Sequence, residues 1–233
     1  MRQSLRHIEK HIIPEEPCNI STVFEVDNKS DNFKNIKPTG FGQRNSSDVW
    51  DGFYYTEENK SNRVLIERRH WLRDVIKEWG GDCGEFLDVG CGWGEIFKYL
   101  EGCSFKFKYS GIDICKNTIR KQSHKKHTFK VGNAEDIPFK DNTFDVVWCG
   151  ETIEHLTNPW IGLDEIKRVT KKGGLIAITC PLDNFNNSYE HTYYITRNDL
   201  CTIYNDCTMI NYKLYKGSEQ CAAFINDRKI QIW

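Results

Sequence analysis

The sequence predicts an α/β protein, a mostly parallel sheet with helices on both faces and an antiparallel hairpin closing one edge. Two observations carry this. From Ser61 onward, short apolar runs alternate with segments of helical periodicity, which is the mark of βαβ units. The first of those runs also passes directly into a glycine-rich turn, "DVGCGWGE".

Taken in order, Leu65, Leu72, Ile76 and Trp79 recur at helical spacing, and Gly80 and Gly81 supply a stop, so 62–79 is expected to be a helix. "EFLDV" (85–89) is a buried strand, followed by the glycine turn and a helix near 94–101. "FKYSGIDI" (107–114) and "TFKV" (128–131) are strands flanking a helix from Cys115 to Lys125. "FDVVWCG" (144–150) is a fourth strand, "WIGLDEIKRVT" (160–170) a helix, and "GGLIAITCP" (173–181) a turn and fifth strand. Thr196 with Asp199 resembles a capped helix start. "TMINYKLYKG" and "KIQIW" are the expected closing hairpin.

The 233 residues suit one domain, spanning 61–233, preceded by an irregular extension over residues 1–60. Its aromatic cluster, Trp50, Phe53, Tyr54 and Tyr55, reads either as a lid over a site or as packing of an arm on the first helix. A formal net charge of −1 gives no global argument for nucleic acid or an anionic membrane. The one basic stretch, Ile119 to Lys130, reads as the outer face of a helix. Ten cysteines form no C-x-x-C pair, and no secretion signal or membrane-length apolar run is visible, so a cytoplasmic location is expected.

The glycine turn places Asp88, Gly90, Cys91, Gly92 and Gly94 where a strand hands over to a helix. Glycines there permit a sharp turn and a close backbone approach to a ligand, and the helix start offers free amides. The spacing is not that of a dinucleotide site. A third glycine would be needed at 95 or 97, which hold Glu95 and Phe97. An acid two residues before the first glycine suits a ligand bearing an ammonium or sulfonium better than a pyrophosphate. Asp113 ends the next strand, 19 residues after Gly94, where a carboxylate can accept both ribose hydroxyls. Asn133, in "GNAEDIPF", is suited to read an adenine edge.

On these motifs, "FLDVGCGWG", "GIDI", "VGNAEDIPFKDNTFDVVWC" and "EIKRVTKKGGLIAITCP", the chain resembles the class I S-adenosylmethionine-dependent methyltransferases over about 85–205. The resemblance implies a Rossmann-like seven-stranded sheet with S-adenosyl-L-methionine along its top edge. It implies that Asp88, Gly90, Cys91, Gly92 and Gly94 cradle the methionyl part and that Asp113 and Ile114 hold the ribose. Asn133, Ala134 and Glu135 would flank the adenine, and the carbonyl of Cys149 or Gly150 would meet the methionyl ammonium.

"GETIEHL" (150–156) follows the fourth strand at the site's rim, and on a helix Glu151, Glu154 and His155 share one face. Three readings stay open. His155 or a neighbouring carboxylate is a general base on a hydroxyl. Alternatively, Glu151, Glu154 and His155 join His191 around Mg²⁺ or Mn²⁺, as in the metal-using RNA 3′-terminal 2′-O-methyltransferases that share E-x-x-E-H. In the third, the acids merely favour a helix start. The leading functional expectation is methyl transfer to a hydroxyl of a small molecule or saccharide. The alternatives are the metal-dependent RNA enzyme and a non-catalytic binding module.

Overall fold

The computed structural model describes residues 63–122, 127–182, 193–215 and 219–227. The expected lid at 50–55, His191 and the "KIQIW" strand lie outside the described residues.

Seven strands form one sheet in the order β3-β2-β1-β4-β5-β7-β6. They are β1 (Cys83–Val89), β2 (Lys106–Asp113), β3 (Thr128–Val131), β4 (Phe144–Gly150), β5 (Thr170–Pro181), β6 (Thr208–Tyr215) and β7 (Glu219–Ile225). β1 to β5 pair in parallel, and β7 slots antiparallel between β5 and β6. The helices are α1 (Arg63–Trp79), α2 (Glu95–Gly102), α3 (Lys116–Lys121), α4 (Pro159–Val169) and α5 (Arg197–Ile203), with a single 3₁₀ turn at Ile153–His155.

Two apolar layers sandwich the sheet. Trp71, Leu72 and Ile76 of α1, with Phe97 and Leu100 of α2, pack on Phe86, Tyr109 and Trp148. Leu163 and Ile166 of α4, with Leu200 of α5, pack on Leu87, Val147 and Ile176 from the opposite face. Both layers follow from strands that are apolar on both faces, as parallel strands covered by helices must be. Asn158 caps α4 by accepting from the Trp160 N–H at 3.2 Å, with Pro159 in the first turn. Thr196 and Asp199 form the expected reciprocal capping box.

Two expectations are corrected. The hairpin partner of β6 is "EQCAAFI" (219–225), a strand not expected from the sequence. That strand is inserted between two neighbours and buried along most of its length, so it carries a continuous run of small apolar residues instead of the alternation that marks a half-exposed strand. The E-x-x-E-H segment is not a helix presenting one face. Glu151 has φ +50° and precedes a three-residue 3₁₀ turn, so the helical i, i+3, i+4 spacing does not apply to Glu151, Glu154 and His155.

β1 pairs with β2 on one side and β4 on the other, so the order of strands reverses at β1 and β4. A crevice opens at the carboxyl ends of strands flanking such a reversal.

Candidate functional site

At that point lies an open hollow of about 480 Å³, the space at its mouth included. Its wall takes Gly90 from the turn after β1, Ile112, Asp113 and Ile114 from the end of β2, and Gly132, Asn133 and Ala134 after β3. Glu151, Thr152, His155 and Leu156, after β4, close the remaining side. Three strand ends and the 3₁₀ turn therefore converge on one hollow.

The glycine turn is pinned from β2. The N–H groups of Gly90 and Cys91 both donate to the Ile112 carbonyl at 2.9 Å. Gly92 N–H donates to Asp113 Oδ2 at 2.8 Å, and Cys115 N–H donates to Oδ1 at 2.8 Å. Asp113 thus braces two turns while standing in the cavity wall. Gly90, Gly92 and Gly94 all have positive φ, of 75°, 46° and 65°, a conformation that costs other residues free energy.

Asp88 is buried behind this turn, and burial, with the nearby Asp113 charge adding to it, pushes its carboxyl up to about 8. Asn133 Oδ1 accepts from the Glu135 N–H at 3.0 Å, and Glu135 Oε1 accepts from the Asn158 N–H at 2.8 Å. Glu135 therefore braces the start of α4 instead of entering the cavity wall.

On the other side, the Thr152 hydroxyl spans the Gly150 carbonyl at 3.1 Å and the Val89 carbonyl at 3.3 Å, tying the ends of β1 and β4 together. His155 Nε2 lies 3.9 Å from Oε1 of Glu154, whose side chain is 1% exposed. Neither carboxyl oxygen of Glu154 has a hydrogen-bond partner among the described residues. Burial raises the carboxyls of both Glu151 and Glu154, and for Glu151 the neighbouring Glu154 charge adds to the rise.

Of the residues singled out in the sequence, Gly90, Asp113, Ile114, Asn133, Ala134, Glu151 and His155 meet in the cavity wall. Asp88, Cys91, Gly92, Gly94, Glu135, Cys149, Gly150 and Glu154 stand behind it or beside it. Among the described residues no three His, Cys, Asp or Glu side chains are grouped to hold a metal ion. Glu151 instead pairs with Arg68 of α1 at 2.9 Å. Sequence reasoning missed Thr152 and Arg68. A signal for Arg68 existed, since it falls three residues after Leu65 and four before Leu72, on the apolar stripe of its helix.

With the geometry in hand, comparison with known proteins gives a consistent result. Residues 87–178 match a family model described as a methyltransferase domain. A demethylmenaquinone methyltransferase of Oceanobacillus iheyensis is 26% identical over 179 residues, covering 72% of this chain and 75% of the relative. A 27-O-demethylrifamycin SV methyltransferase of Amycolatopsis mediterranei is 25% identical over 162 residues, covering 66% of this chain and 57% of the relative. Among solved structures, a putative sarcosine dimethylglycine methyltransferase from Galdieria sulphuraria superposes with a TM-score of 0.62 at 15% identity, covering 71% of this chain and 87% of that one. At that identity the likeness speaks to the fold.

Proposed function

We propose that this chain, a class I S-adenosylmethionine-dependent methyltransferase, methylates a hydroxyl of a small molecule or saccharide, with His155 receiving the hydroxyl proton. The cavity fits the cofactor. Gly90 brings bare backbone to the wall at φ +75°, and a carboxylate from β2 and an asparagine after β3 stand along the same wall. Gly90 and the α2 amides would take the methionyl end, Asp113 and Ile114 the ribose, and Asn133 and Ala134 the adenine. When bound, the cofactor supplies an electrophilic methyl group on a sulfonium.

What remains for the protein is alignment, exclusion of water and removal of one proton. The observation that carries the hydroxyl reading is His155 in the cavity wall with the buried Glu154 carboxyl 3.9 Å behind it. A neutral amine acceptor already presents its lone pair and needs no such group before attack. A hydroxyl does, because its own pKa lies far above neutrality. An unperturbed imidazole titrates near about 6.5, which suits the transfer, and Glu154 behind it would steady the imidazolium once its own carboxyl gives up its proton. His155 would take the hydroxyl proton as the acceptor oxygen gains the methyl group that the sulfonium supplies.

A relative named for an O-demethylated substrate supports the choice of oxygen. The near-neutral charge supports a diffusible acceptor over a polyanion. No helix among the described residues is long and apolar enough to cross a membrane. Every cysteine among the described residues is free, which supports a reducing compartment such as the cytoplasm.

The test is release of S-adenosylhomocysteine from S-adenosylmethionine against a panel of phenols, hydroxylated quinols, sugars and amines. Turnover should follow a hydroxyl acceptor, and His155→Ala should lower kcat by about 10²–10⁴-fold with cofactor affinity unchanged. Turnover on amines alone, or an unaffected His155→Ala, would refute the reading. Loss of turnover in chelator, restored by Mn²⁺, would favour the metal site with His191 instead.

A further inference from the structure

Arg68 stands on α1, before the segment that matches the methyltransferase domain, yet its guanidinium reaches the rim of the cavity. It is 7% exposed and meets two carboxylates, Glu151 Oε2 at 2.9 Å and Glu219 Oε2 at 2.8 Å. A buried guanidinium is expensive to hold unless paired, and here its partners come from the turn after β4 and the start of β7. Glu219 Oε2 also accepts from Arg68 Nε at 3.2 Å, a two-nitrogen grip that a lysine ammonium would not reproduce.

Glu151 adopts φ +50°, a region that non-glycine residues rarely occupy. Two bonds hold it there: its N–H donates to the Thr179 carbonyl at 2.9 Å, and its carboxylate is gripped by Arg68. The chain direction set at Glu151 decides where the next residues go. Thr152 then reaches the Val89 carbonyl, and the 3₁₀ turn presents His155 to the cavity. Glu154 is buried in the same neighbourhood, so three carboxylates share one guanidinium. Among the described residues, the buried thiols of Cys149 in β4, Cys180 in β5 and Cys221 in β7 also lie close enough to feel the Glu151 charge.

We propose that Arg68 is a positioning residue for the acceptor side of the site, clamping the strained Glu151 turn against Glu219 so that Thr152 and His155 are presented to the cavity. This rests on the reading of His155 as the proton acceptor. It makes α1, which supplies no cavity-lining residue, a determinant of turnover.

The test compares Arg68→Lys, Arg68→Met and Glu219→Gln in the full chain. Three quantities are measured: hydrogen exchange of the 150–156 peptide, cofactor affinity by calorimetry, and kcat and KM on the hydroxyl acceptor found in the panel. Arg68→Met should speed exchange in 150–156 by about tenfold or more and lower kcat at least about tenfold, with cofactor affinity within about twofold of wild type. Arg68→Lys should restore part of both, and Glu219→Gln should show the same pattern more weakly. Should Arg68→Met fail to fold, Glu219→Gln decides alone. Unchanged exchange in 150–156 in the folded variants overturns the clamp. So does a kcat loss that merely tracks global melting. If the wild-type protein methylates only amines, the His155 reading fails, while the exchange data still decide whether Arg68 holds the turn.

Discussion

The Thr152 side chain occupies the space that a side chain on Gly90 would need. A Cβ built on Gly90 falls 2.7 Å from Thr152 Cγ2 and closer still to its hydroxyl. The two residues lie 62 positions apart, one after β1 and one after β4, and both stand in the cavity wall.

Gly90→Ala is therefore expected to fail on two counts. The residue has φ +75°, which costs an L-residue about 1–2 kcal/mol. Overpacking against Thr152 adds about 1–3 kcal/mol. Thr152→Ala in the Gly90→Ala background should recover the packing part and leave the backbone part. Thermal melts of the two single variants and the double variant separate the terms, and cofactor calorimetry should show all Gly90→Ala forms weakened. Full recovery in the double variant would mean the backbone conformation carries no cost.

Asp113→Ala should do more than remove a ribose anchor. Its two oxygens each accept from a turn amide, Gly92 N–H and Cys115 N–H, both at 2.8 Å. Bonds to a charged acceptor contribute about 1.5–3 kcal/mol each, and stranding buried donors adds to the loss. The variant should lose roughly 3–6 kcal/mol of stability in denaturant melts, together with measurable cofactor binding. Asp113→Asn keeps one acceptor oxygen, so it should fall between wild type and alanine in stability. A fully stable Asp113→Ala would show that the turn holds without its brace.

The parallel sheet and the meeting of Gly90, Asp113 and Asn133 in one cavity wall were legible in the sequence because local rules set them. Strand runs, the glycine turn and the spacing to Asp113 all lie within short windows, and the sheet places their ends together. The acceptor side was not legible in the same way. Helical spacing in "GETIEHL" suggested a shared face, but Glu151 is drawn into a left-handed turn by Arg68, 83 positions upstream, and by the Thr179 carbonyl. No local window contains those partners. Asp113 was recognisable as an acid at a strand end, whereas its grip on Gly92 depends on the register of β1 with β2. β7 escaped notice because a strand buried between two neighbours has no polar face to alternate with.

Asp88 gives the pH dependence of the cofactor side. Its carboxyl is raised from 3.8 to about 8 in the folded protein by burial, with the Asp113 charge adding to it. A raised acid keeps its proton in the native state while the unfolded chain loses it. Its stabilising contribution is thus complete below about pH 4 and is lost progressively as pH rises towards 8. Denaturant melts should show stability declining across that window. Asp88→Asn, which cannot ionise, should flatten part of the slope; Glu151 and Glu154, raised in the same direction, supply the rest. A cationic ligand reverses the preference, because an ammonium or sulfonium near Asp88 favours the anion. Binding of S-adenosylmethionine at pH 7 should therefore release a proton, seen as a buffer-dependent heat when calorimetry is repeated in phosphate and in Tris. The same experiment with Asp88→Asn should lose most of that difference. If wild type and variant show the same buffer dependence, Asp88 does not ionise on binding, and the cationic end of the ligand lies elsewhere in the cavity.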